Sequence, residues 1–151
     1  MQFDKTTIFI LSTAVIIGGW IVVNQLNRAR DRETREEARK DAARNAAANR
    51  KNALLKFLAT WEQEIRAGVG RYHEVAKTFD DRKLKLIELT NGMKSDYTDA
   101  AGQDFATKIK TITDMTGGEV SNTELDEKRE LKGVKTLLMA VTALITFVEA
   151  N

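Results

Sequence analysis

"LLKFLATWEQEIRAGVGRYHEVAKTF", residues 54–79, holds the pattern on which the fold turns. Leu54, Leu58, Trp61, Ile65, Gly68, Tyr72, Val75 and Phe79 follow one another at spacings that alternate four and three. That is the seam of a helix packed against other helices at coiled-coil angles. Gly68 and Gly70 interrupt it, so a bend or a close helix approach is expected there. The whole chain favours the same structure. It has no proline and only nine glycines, which leaves few helix breakers.

Toward the C-terminus the helical reading continues. "KTFDDRK" offers a break, with Thr78 or Asp80 capping a following helix through Leu84, Leu86, Ile87, Leu89 and Met93. Turns are expected at Asn91–Gly92 and near Gly102, and Phe105, Ile109 and Ile112 suit a further amphipathic helix. Thr116–Glu124 reads as a loop in which Ser121 and Glu124 fit a capping box. A last helix from about Asn122 to Ala150 carries a second seam at Leu131, Val134, Leu138, Val141, Ile145 and Val148. Leu137–Val148 contains no charge but is too short to cross a bilayer, so it is expected inside a bundle or at an oligomer contact.

Toward the N-terminus the chemistry changes. From Thr6 to Asn27 no residue is charged, and a run of about 20 residues at roughly 1.5 Å each spans a hydrocarbon core. A secretory signal would have a more basic start and a small-residue cleavage site, and "NQLNRAR" is a poor one. Trp20, Asn24 and Gln25 suit an interface. Ala14 and Gly18 form a small-xxx-small pair that could serve as a dimer face within the span. Beyond it, Arg28–Lys56 holds ten Lys/Arg against five Asp/Glu, whereas Phe57 to the end holds thirteen against sixteen. Arg28, Arg30, Arg32, Arg35, Arg39 and Lys40 flank the run on its C-terminal side, opposed on the other side by Lys5 alone. The positive-inside rule then places the bulk of the chain in the cytoplasm, with the N-terminus outside an inner or plasma membrane. Asp31–Lys51 has alanines but no apolar stripe, and pairs such as Asp31–Arg35, Arg32–Glu36 and Glu36–Lys40 suit a solvated helical stalk. No aromatic residues interleave with its charges, which argues against nucleic acid as a partner.

The expected architecture is all-α. A tail at residues 1–6 precedes a single transmembrane helix at 7–26 and a charged helical stalk at 27–52. An antiparallel bundle of three or four helices follows at 53–151.

Catalytic chemistry is sparse. There is no cysteine, His73 is the single histidine, and no HExxH, phosphate loop or dinucleotide fingerprint occurs. Asp96, Asp99 and Asp104 miss the calcium-loop spacing and suit turns and helix starts. Glu62, Glu64 and Glu74 lack the Glu-x-x-His pairs of di-metal bundles. No catalytic residue, cofactor or metal site is therefore expected.

The layout of Ile8–Lys51, one span followed by a charged, alanine-rich helix, resembles the membrane-anchored b subunit of the rotary ATP synthase. The loop at Thr116–Glu124 and the apolar end depart from that subunit's long stalk. In length and layout the chain is also similar to phage inner-membrane spanins, which implies a lysis protein with a periplasmic coiled coil and the opposite orientation. "NRKNALLKFLATWEQEIR", residues 49–66, resembles a stretch in small single-span bacterial proteins. The expectation is a non-enzymatic, single-span membrane protein of bacterial or phage origin. It would act as a scaffold or adaptor through an unknown protein partner or as a homo-oligomer. The alternatives are the spanin-like role and a sensor-like bundle that binds a small ligand.

Overall fold

Helix α1, Lys5–Ala67, is the first of five α-helices in the computed structural model, which describes residues 5–68, 72–125 and 131–151, with side chains from residue 17 onward. The others are α2 (Tyr72–Thr90), α3 (Asp99–Thr113), the single turn α4 (Gly117–Val120) and α5 (Lys132–Ala150), with a 3₁₀ turn at Met93–Asp96. No strand occurs among the described residues; an isolated bridge joins Leu125 to Leu131. Contacts divide the chain into two units, Met1–Asn45 and Ala46–Asn151, which are taken separately below.

In the second unit the seam between residues 54 and 79 belongs to two helices. α1 stops at Gly68, whose amide donates to the carbonyls of Glu64 (2.9 Å) and Ile65 (3.1 Å). Leu54, Leu58, Trp61 and Ile65 line the buried side of the last turns of α1, and Val75 and Phe79 continue on α2. Tyr72, at the first position of α2, is half-buried. The Trp61 ring lies 5.7 Å from Phe57 and 6.3 Å from Phe79, centroid to centroid. A second aromatic group ties α3 to α5: Tyr97, Phe105 and Phe147 have centroids 4.8 to 6.0 Å apart. α3 packs on α5 and α2, and α4 packs on α2 and α5. All the core side chains among the described residues are apolar.

Several expectations are corrected. α2 runs without a break through Thr78–Lys83. The Thr78 hydroxyl donates back to the carbonyl of Glu74 (3.2 Å) instead of capping a new helix. The polar residues of this run face solvent, apart from Arg82, which binds Glu64, and Lys83, whose ammonium reaches the Met115 carbonyl (3.0 Å). Asn91–Gly92 is the turn expected, with Gly92 left-handed at φ +77°. Gly102, by contrast, is buried inside α3. The capping box is formed by Thr116 and Glu119, five residues before Ser121 and Glu124. The Glu119 amide donates to Thr116 Oγ1 (3.2 Å), and the Thr116 amide donates to the Glu119 carboxylate (2.7 Å).

α5 also starts later than expected, at Lys132, whose amide donates to the Glu124 carbonyl (2.9 Å). Its buried stripe is Val134, Leu137, Val141, Leu144 and Val148, joined by Phe147. Leu131, Leu138 and Ile145 are only half-buried beside it. The seam therefore takes the neighbouring leucine at two of its steps. Gly133 lets α5 approach α4: a Cβ there would collide with the Glu119 carbonyl oxygen and lie 2.7 Å from that of Val120.

Candidate functional site

The first unit exposes what the second unit buries. Ile17, Trp20, Ile21, Val22, Val23 and Leu26 are all exposed, Trp20 by 67%. Four of these residues, Trp20 to Val23, are consecutive, so the apolar surface covers every side of the helix instead of a stripe. Within the first unit no described residue covers it. Gly18 and Gly19 are open as well, with nothing within 4 Å of a Cβ built on either. Ala14, the other half of the small-residue pair, and the first ten residues of the expected span (7–16) lie outside the described side chains. So does the expected tail, of which residues 1–4 are undescribed. Surface of this kind marks a site of contact with lipid or protein.

Among the described residues one helix is long and apolar enough to cross a membrane, and it is α5, Lys132–Ala150. The core helix of a soluble bundle meets the same criteria, and α5 has the arrangement of one. Its exposed positions, Lys132, Thr136, Met139, Ala143, Thr146 and Glu149, recur at helical spacing opposite the buried stripe.

Beyond Leu26 the basic flank is exposed throughout: Arg28, Arg30, Arg32, Arg35, Arg39 and Lys40 all face solvent. The ion pairs expected from spacing do not close. Among the described residues the pairing in this stretch is Asp41 with Arg44, at 3.8 Å. Exposed side chains of this length gain too little from such contacts to be held in one geometry.

The second unit contains a cleft of about 310 Å³ where α1 ends and α2 begins. Trp61, Ile65, Gly68 and Val75 form its apolar side, and Glu64, Thr78 and Arg82 its polar side. Arg82 is bound to Glu64 across the cleft. Nearby, Glu62 accepts from Arg66 (2.7 Å) and from the Thr142 hydroxyl of α5 (2.9 Å). Those bonds, Arg66's first, hold its carboxyl below the ordinary glutamate value. Two other carboxyls are lowered by local hydrogen bonds: Glu119 by the Thr116 amide and Glu124 by Lys132. Burial, helped by the neighbouring Asp96 charge, raises the Tyr97 hydroxyl. Arg50 grips Asp96 with two bonds of 2.9 and 2.6 Å, tying α1 to the 3₁₀ turn.

His73 is exposed, with its ring 3.9 Å from that of its neighbour Tyr72, centroid to centroid. No group of three or more potential metal ligands occurs among the described residues. The Glu62–Thr142 and Arg50–Asp96 pairs join residues far apart in the chain, and no local pattern announces them. The Thr116–Glu119 box carries its own signal, Thr-x-x-Glu, with the same spacing as Ser121 and Glu124. Comparison with protein-family models, with curated proteins and with solved structures yields no match.

Proposed function

We propose that this is a single-span membrane protein in which an N-terminal helix anchors a charged stalk and an antiparallel helical bundle that works by protein–protein contact. The observation that carries the reading is the uncovered apolar surface from Ile17 to Leu26. Moving those side chains from water into hydrocarbon is worth on the order of 10 kcal/mol in total. The arginine-rich flank favours the orientation with the bundle in the cytoplasm. A contact role is supported by the all-apolar core. Among the described residues the bundle holds no buried polar or charged side chain, so its charged groups lie toward the surface, where a partner would meet them. A homodimer through Ala14 and Gly18 is one form the contact could take.

Extraction of native membranes with alkaline carbonate tests the anchor. The expected result is retention in the pellet; release into the supernatant would overturn it. A reporter fused after Asn151 tests the orientation. Activity in the cytoplasm is expected, and activity on the outer side would favour the spanin-like reading.

The cleft at Gly68 supports a second reading, a bundle that senses a small ligand, since ligand pockets begin at about 300 Å³. Screening small amphipathic compounds against the thermal unfolding of the full chain would distinguish the two. A saturable rise in Tm that is lost in Arg82→Ala favours the sensor.

A further inference from the structure

The charge beside the apolar run is arranged by face. At 3.6 residues per turn, Arg28, Arg32, Arg35 and Arg39, spaced four, three and four apart, fall within a sector of about 60°. No acid lies inside that sector; Asp31 and Glu36 border it, about 40° beyond its two edges. Arg30, Lys40 and Arg44 lie on the opposite side together with Glu33, Glu37 and Asp41, so that side is neutral. All four stripe residues are exposed, and none forms an ion pair within 4 Å among the described residues. With the opposite side neutral, the excess of positive charge lies on the side of the four arginines, which outnumber the two acids that border them, Asp31 and Glu36; that face begins two residues after Leu26, where the exposed apolar surface ends.

We propose that this stripe binds the phosphates of anionic lipids in the leaflet through which the helix exits. The inference rests on the anchor reading above. Two observations select lipid as the occupant. The stripe continues directly from the apolar surface, on the same helix and within the same unit. Its side chains are all arginine, whose planar fork of donors matches phosphate oxygens better than a lysine ammonium does. Distance along the helix then ranks the residues. Arg28 and Arg32 lie about 3 and 9 Å beyond Leu26, within a Debye length of the surface, while Arg39 lies about 20 Å beyond it. Each arginine near the leaflet is expected to give roughly a fivefold preference for anionic over neutral lipid, declining from Arg28 to Arg39. The stripe would thereby enrich anionic lipid around the anchor and fix the rotation of the helix about its axis.

Trp20, exposed within the apolar run, is the natural probe. The full chain is reconstituted in phosphatidylcholine vesicles carrying a small, equal share of either brominated phosphatidylglycerol or brominated phosphatidylcholine. A Trp20→Phe chain supplies the background from Trp61. The expected result is stronger quenching by the anionic lipid. That excess should vanish in the quadruple Arg28→Gln, Arg32→Gln, Arg35→Gln, Arg39→Gln variant and persist in the triple Arg30→Gln, Lys40→Gln, Arg44→Gln variant. Among single variants Arg28→Gln should lose the most and Arg39→Gln the least. Equal quenching by the two lipids in the parent chain overturns the stripe and leaves the anchor standing. Equal loss in the quadruple and triple variants also overturns it, because net charge would then suffice. No quenching by either lipid overturns the anchor itself.

Discussion

Ile17–Leu26 and Val134–Val148 are both strongly apolar stretches of helix, yet one stands uncovered and the other is enclosed. Trp20 is 67% exposed, whereas Leu137, Val141, Leu144 and Val148 have no exposed surface. The difference lies in the residues between the apolar ones. α5 alternates its buried stripe with Lys132, Thr136, Thr146 and Glu149, so it has one side for the core and one for water. The N-terminal run sets Trp20, Ile21, Val22 and Val23 side by side and has no polar side to offer. A helix of the first kind is completed by neighbouring helices, a helix of the second kind only by a surrounding medium. The lesson is that apolarity alone does not name a helix's solvent, while its distribution around the axis does.

The largest expected effect breaks the comparison at its first term. Deleting residues 1–27 should move the protein from the membrane pellet to the soluble fraction, and far-UV circular dichroism should show the bundle melting at an unchanged temperature. Loss of the cooperative transition would mean that the exposed run is part of the bundle's stability, and the contrast between the two stretches would collapse. The next effect acts on the second term. Leu137→Ala removes a fully buried side chain and should cost about 2–5 kcal/mol, a fall in Tm on the order of 10–20 °C. Ile21→Ala, an equally apolar truncation on the uncovered run, should leave the Tm of the bundle where it was.

Much of this contrast is legible in the sequence, and what is not has identifiable causes. Leu54, Leu58, Trp61 and Ile65 are buried as their spacing suggests, because Lys56, Thr60, Gln63 and Arg66 between them can only face water. On α5 the spacing leaves a choice. Leu137 stands beside Leu138, and Leu144 beside Ile145, so a stripe through either member of each pair has helical period. The partners on α3 and α4 decide, and they lie outside the helix itself. The late start of α5 is hidden for a different reason. Asn122–Leu131 is charged and free of glycine and proline, and locally it could be helical. In the described part, Asn122–Leu125 and Leu131, the Leu125–Leu131 bridge and the Lys132–Glu124 bond take the place of helical hydrogen bonds. The cleft was equally invisible, since it needs the break at Gly68 and the return of α2 past Trp61.

Gly133→Ala is the next smaller change, and it sharpens what encloses α5. A methyl group there meets the carbonyl oxygens of Glu119 and Val120, which are backbone atoms held by the Thr116–Glu119 capping box. Neither side can yield by rotating a side chain. The expected cost is about 1–3 kcal/mol, against the small gain alanine normally brings inside a helix. An alanine variant as stable as the parent, measured by urea unfolding, would show that α4 follows α5 rather than bracing it.

The smallest effect concerns the polar link between the two helices that carry the contrasted stretches. Glu62, near the end of α1, accepts from Arg66 and from Thr142 of α5, and both bonds favour its ionised form. Its carboxyl is therefore more acidic folded than unfolded. A group lowered in this way stabilises the fold above the ordinary glutamate value, and that contribution disappears as pH falls through the lower, folded value. Acid should weaken the bundle on that limb, and Glu62→Gln should flatten the limb by a small amount, since the side chain is still partly open to water. Thr142→Ala should flatten it less than Arg66→Ala, because Arg66 is the stronger of the two causes. Tm measured from neutral pH down to pH 3 reads all three. An acid limb identical in Glu62→Gln and the parent would leave apolar packing alone to hold α5 against α1, and the enclosure of the second stretch would owe nothing to its polar rim.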